Sequence, residues 1–353
     1  MSENEEKATA EEIAKPTYKW KGLSNQWDTR VEPNEHGLRL GDLNVGIYGE
    51  VPEYWDDQTR RPRGSVSRPG IPPLSYSLRY KHDVWADCAA DLYEEAIQRQ
   101  WIPATDVPWD TLEPLPEEIE KSVCQVCTEL SQYANSEIEI ISYWQDEISY
   151  GFHEVKQYLA TVSFDCARHV EALRKRALSN GGGLGVESRG VANRMILQSS
   201  GGWTESVAYL YLVRGTYVFH LLKGLHNSAH NDAERYIYKH MLQDHARHLT
   251  YGYDHLKYAA THKEGQIQIM ATLLAVGEGI MSRELDTSLI KPAMAIVFGG
   301  GVEGAKTVGM EAYLQLVKDF VTDYVQICGW LGIEKEGRLN PALQYYLDFS
   351  NKF

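Results

Sequence analysis

The sequence predicts an all-α fold: a four-helix bundle core with additional helices and an irregular N-terminal extension. Three observations carry that expectation. The pentapeptide D-x-A-R-H occurs twice, as Asp165-Cys166-Ala167-Arg168-His169 and, 79 residues later, as Asp244-His245-Ala246-Arg247-His248. Each copy lies in a long stretch with apolar residues at helical spacing, so positions 166 and 169, or 245 and 248, share one helix face. No convincing run of alternating apolar and polar residues marks a strand.

Taken in order, residues 1–75 carry Pro16, Pro33, Pro52, Pro62, Pro69, Pro72 and Pro73 with no sustained period, which makes them an extension without a core of its own. Residues 76–353 form the helical domain. Met1 to Lys15 is acidic and polar and is expected to be mobile. Arg60, Arg61, Arg63 and Arg68 form the one basic cluster, expected as a solvated loop, with docking onto an acidic partner as the sharper alternative.

The helical pattern begins at His82 and ends at Trp101, because Pro103 has no backbone N–H to continue it. Pro114 to Pro116 restart the chain, and Glu117 and Glu118 suit the positive end of a helix running through Tyr143. A third helix, His153 to Leu178, carries the first motif and stops at Asn180-Gly181-Gly182-Gly183. After a short helix over Val191 to Gln198, Gly201-Gly202 breaks the chain and Thr204 can cap a helix from Glu205 to Leu225, with Arg214 in its middle. Asp232 to His262 carries the second motif. Further helices fill Gly265 to Gly332, interrupted by Gly299-Gly300-Gly301.

Composition narrows the function. With 353 residues and 43% hydrophobic content the chain can build a large core, and 22 Tyr with 9 Trp make that core rich in amphipathic rings. A formal charge of -14 argues against nucleic acid as a partner, because neutralising phosphates needs a basic face. Apolar runs such as Ala293 to Phe298 are too short for a bilayer, and the N-terminus has no apolar targeting core, so a cytoplasmic location away from membranes is expected. Five cysteines there read as free thiols, and Cys124-x-x-Cys127 on a helix reads as packing. Eight of the 12 His lie between 220 and 262, and most of these read as solvated helix-face residues. The triple-glycine loops lack a phosphate-binding lysine and read as helix stops.

The two motifs, together with Leu92-Tyr93-Glu94-Glu95 and Trp101-Ile102-Pro103-Ala104-Thr105-Asp106, resemble the ferritin-like diiron oxygenase superfamily, which includes ribonucleotide reductase small subunits and bacterial multicomponent monooxygenase hydroxylases. The resemblance covers roughly residues 80–335. It implies Glu137 as the first helix ligand, His169 and His248 as histidine ligands, and Asp165 and Asp244 as carboxylates that orient the imidazoles. Cys166 and His245 stand where motif glutamates belong, and Arg214 stands where a further glutamate belongs.

Those departures change the chemistry. Two ferrous ions need four carboxylates for charge balance, and only Glu137 remains, so a conventional dioxygen-activating diiron centre is not expected. Cys166, His169, His245 and His248 with Glu137 still offer donors suited to one zinc, copper or iron ion. A diiron centre drawing on Glu139, Glu171 or Glu205 is a further alternative, as is a relic in which Arg214 pairs with Glu137. The resemblance implies a component of a non-haem iron oxygenase system acting on a small hydrophobic substrate, oligomeric with itself or with other oxygenase components. Two roles stay open: an oxidoreductase, including one with a single-metal Cys/His site, or a non-catalytic accessory subunit.

Overall fold

The computed structural model describes residues 22–24, 26–67, 69–188, 190–198 and 201–349. The expectation for Met1 to Lys15 falls outside them, as does Arg68. The helices are α1 (Ala89–Gln98), α2 (Glu117–Glu147), α3 (His153–Ser179), α4 (Val191–Gln198) and α5 (Trp203–Val207), then a π-helical segment Ala208–Gly215 leading into α6 (Thr216–Asn227). They continue as α7 (Asp232–His262), α8 (Gln266–Thr287), α9 (Ile290–Gly299), α10 (Val302–Gly304), a second π segment Ala305–Gly309, α11 (Met310–Leu331) and α12 (Pro341–Asp348). Among the described residues no strand forms, only three isolated bridges. Among the described residues no helix is long and apolar enough to cross a membrane.

The bundle is two helix pairs. α2 packs along α3 after a five-residue turn, and α6 packs along α7. α3 and α7, the two motif helices, meet across the middle, and the long excursion through α4 joins the pairs in the ferritin-like manner. Local chemistry sets the ends. Glu117, Glu118 and Glu120 occupy the first turn of α2, where the helix dipole favours negative charge. The Asn231 side chain accepts the Glu234 N–H at 2.8 Å and caps α7. Gly181, just past α3, has φ 87°, a left-handed backbone that glycine adopts without a Cβ penalty.

The expected helix from His82 to Trp101 is shorter, because Lys81–Asp83 form a 3-10 turn and α1 begins only at Ala89. The Cys88 N–H there donates to Asp254 on α7 at 3.0 Å, fixing the chain before α1 starts. The helix expected from Glu205 to Leu225 extends from Trp203 to Asn227 and is wound as a π-helix through its centre.

Within the extension, the described residues between 22 and 75 form 3-10 turns, irregular chain and isolated bridges at Asn34–Gly37 and Tyr54, and Arg61 and Arg63 are used internally. Arg63 is buried, and its guanidinium donates to Glu154 at 2.6 and 3.1 Å and to the Gly151 carbonyl at 2.9 Å. Glu154 is fully buried at the start of α3. Arg61 pairs with Asp57 and lies 5.0 Å over the Trp55 ring. Trp55 in turn covers Gly151, where a Cβ would come within 2.5 Å of the indole. The solvated-loop expectation is therefore corrected for Arg61 and Arg63, because Glu154 needs a cation once it is buried. Arg60 alone of the described three is exposed.

Candidate metal centre

Both D-x-A-R-H copies face the bundle interior, and they interlock. Asp165 on α3 accepts from Arg168 one turn later and, across the bundle, from Arg247 at 3.0 Å. Asp244 on α7 accepts from Arg247 at 2.5 Å, from Arg168 at 3.4 Å and from the Trp101 indole N–H at 2.9 Å. Each aspartate also holds the other helix's histidine: His169 Nε2 lies 3.0 Å from Asp244, and His248 Nε2 lies 3.4 Å from Asp165. The two imidazoles face each other with ring centroids 6.2 Å apart. Burial opposes ionisation of Asp244, but His169, Trp101 and Arg247 outweigh it and hold the carboxyl well below its usual range.

On the inner side of this network, Glu137 Oε1, Cys166 Sγ and His248 Nδ1 converge. These three buried residues offer donor atoms within 4.8 Å of one another. Glu137 Oε1 lies 3.1 Å from His248 Nδ1, yet neither atom completes a well-aligned hydrogen bond. Burial would raise the Glu137 pKa, but the facing charges of His248 and Arg214 hold it at about 2. Burial would likewise lower that of His248, but Glu137 and Asp165 push it up to about 9. Burial, with the negative charge of Glu137, keeps the Cys166 thiol protonated, far above its ordinary range.

The other expected ligands sit differently. His169 lies outside the converging trio. His245 turns to the π segment, where its Nε2 donates to the Gly215 carbonyl at 2.8 Å. Burial depresses its pKa to about 4, so it is a neutral ring committed to backbone. Arg214 is buried in the same segment, but among the described residues no carboxylate lies within 4 Å of it; Nη1 donates to Asn193 at 2.6 Å and the guanidinium lies 5.3 Å from the Tyr133 ring centroid. The expected Arg214–Glu137 pair is thus corrected: His248 takes that place. Glu139 and Glu171 point to solvent, and Glu205 lies against Gly201 and Gly202, so none restores a carboxylate to the centre.

Several contributors escaped the sequence reading. Tyr211 and Tyr158 bring buried hydroxyls without a completed hydrogen bond to the neighbourhood of Glu137. The Tyr211 ring lies flat on α7 only because position 252 is glycine; a Cβ there would come within 2.6 Å of the ring. Arg168 and Arg247 were legible as motif letters, and their crosswise pairing required the fold. Nothing in local sequence marks the π segment.

No family model matches the chain, and no curated protein matches it. Among solved structures, the chain is similar to a variant of an R2-like ligand-binding oxidase with an aerobically reconstituted Mn/Fe cofactor, at 12% identity, 73% coverage of this chain, 89% of that chain and a TM-score of 0.40. A form with an anaerobically reconstituted Mn/Fe cofactor is 15% identical, with 73% and 88% coverage and a TM-score of 0.35.

Proposed function

We propose that the chain is a component of a non-haem oxygenase or oxidase system whose bundle core holds a single transition-metal ion on Glu137, Cys166 and His248. The supporting observation is the convergence of one oxygen, one sulfur and one nitrogen donor within 4.8 Å, two of them buried without a completed hydrogen bond. Buried polar atoms are normally paired, and Glu137 Oε1 and His248 Nδ1 have only each other, 3.1 Å apart and poorly aligned, so an ion held between them would complete both. Such a mixed donor set suits iron, copper or zinc. Bound iron would supply one-electron and dioxygen chemistry toward a small hydrophobic substrate.

The chain's own residues have definite tasks in this reading. Asp165 engages His248 Nε2, which leaves Nδ1 to face the centre. Cys166 and the protonated His248 must each lose a proton to ligate, and the nearby Arg214 charge favours the Cys166 thiolate. Trp101, Tyr158 and Tyr211 close the surroundings against water, being buried around the network. A second reading, a non-catalytic accessory subunit, draws on the Glu137–His248 ion pair, which balances its own charge without an ion.

Cobalt titration of the metal-free protein separates the two. A bound thiolate gives an intense near-ultraviolet charge-transfer band, expected to saturate at one ion per chain and to vanish in Cys166→Ser. Absence of the band, with no iron, zinc or copper retained by folded protein, rejects the metal reading and leaves the accessory role.

A further inference from the structure

The second motif helix, α7, presents a different face to a groove against α11. Two hollows of about 680 and 260 Å³ lie along it and share Thr250, Tyr253, Gln326 and Ile327, so they form one continuous depression. The outer hollow opens beside Trp330, whose ring is half exposed. The inner one is open past Asp323 and has the buried Thr216 and Leu249 as its deepest lining. Leu249 directly follows His248 and packs on Gly215, where a Cβ would lie 2.8 Å from its Cδ2. The Gly215 carbonyl is the acceptor for His245. One layer of side chain and backbone therefore separates the inner end of the groove from the buried histidines.

We propose that this groove is the approach by which a small, neutral, apolar molecule reaches the core, closed at its inner end by Leu249 and by the Thr216–Tyr253 hydroxyl pair, which are 2.7 Å apart. The proposal rests on the metal reading for its purpose, while the binding it requires is independent of a metal. Tyr253, Ile327, Leu249 and Trp330 supply apolar walls. The charged groups on the lining are all carboxylates: Asp87, Asp254 and Asp323, with no lysine or arginine among the lining residues. At the rim the Lys257 ammonium lies 5.1 Å from the Trp330 ring centroid, and Asp323 is engaged by His220 at 2.8 Å, but Asp87 and Asp254 on the lining leave the path net negative, so the groove disfavours anions.

Benzyl alcohol and benzoate share a ring and differ in charge, which makes them suitable probes. Binding to the full-length, metal-free protein is measured by ligand-observed NMR, with the His245 ring followed in histidine-labelled protein. Benzyl alcohol is expected to bind at least tenfold more tightly than benzoate and to shift the His245 signal. Thr250→Trp, at the exposed junction of the hollows, is expected to weaken it at least tenfold, while Thr250→Ala binds as wild type. Equal binding of benzoate, an unmoved His245 signal, or undiminished binding to folded Thr250→Trp each overturns the proposal. Because no metal is present, such a failure is distinct from a failed cobalt titration.

Discussion

Replacing Asp165 by asparagine tests whether the interlocked network is one electrostatic unit. Two carboxylates, Asp165 and Asp244, face two guanidiniums, Arg168 and Arg247, and all four side chains are at most 5% exposed. Their charges cancel, and Glu137 and His248 cancel beside them. Asp165→Asn keeps the shape and leaves one buried positive charge uncompensated, which costs roughly 3–5 kcal/mol by analogy with broken buried pairs. Adding Arg247→Gln removes that surplus charge, and the double variant is expected to recover about 1–3 kcal/mol relative to additivity. Urea unfolding followed by circular dichroism and tryptophan fluorescence supplies the four free energies of the cycle. A single-variant loss under about 1 kcal/mol, or purely additive losses, would refute the reasoning.

Three other perturbations have definite expectations. Glu234, which accepts from Arg176 at 2.8 Å, is held at about 2 because His230 and Arg176 outweigh the effect of burial; its stabilisation, roughly 3 kcal/mol, is present above its unfolded value near 4.5 and is lost as pH falls through 2. Urea midpoints between pH 6 and 3 should fall less steeply in Glu234→Gln, and an unchanged slope counts against this. Arg63→Met strands the Glu154 carboxylate and should release the extension, so limited proteolysis is expected to cut between residues 57 and 75 much faster than in wild type, with the bundle intact. Gly252→Ala drives a methyl into Tyr211 at a cost of about 1–3 kcal/mol and should also weaken cobalt binding, since that ring flanks Glu137; an equally stable variant with unaltered affinity would contradict the packing account.

The bundle was legible because its signals are local and repeated. Asp232–His262 follows from periodicity and a cap, and the glycine stop after Ser179 from backbone freedom. Glu137, Cys166 and His248 were all nameable from motif spacing, since a helix fixes which residues share a face. What spacing leaves open is rotation of one helix about another. His245 and His248 sit three residues apart, yet one turns to the Gly215 carbonyl and the other to Glu137, a split decided by a π segment that carries no sequence mark. Arg214 illustrates the same gap. Its alignment suggested a partner in Glu137, but the wider turn of the π segment delivers its guanidinium to Asn193.

The crosswise pairing has a consequence for how the centre can come into being. Each histidine is steadied by an aspartate from the opposite helix, 75 residues away for His169 and 83 for His248. Neither helix, formed alone, contains an oriented imidazole. A register error that put the neighbouring residue of α3 in each position would point its side chain about 100° away and break both crossed contacts at once. Assembly of the donor trio therefore requires correct docking of the two motif helices, since His248 is oriented by Asp165 from the other one.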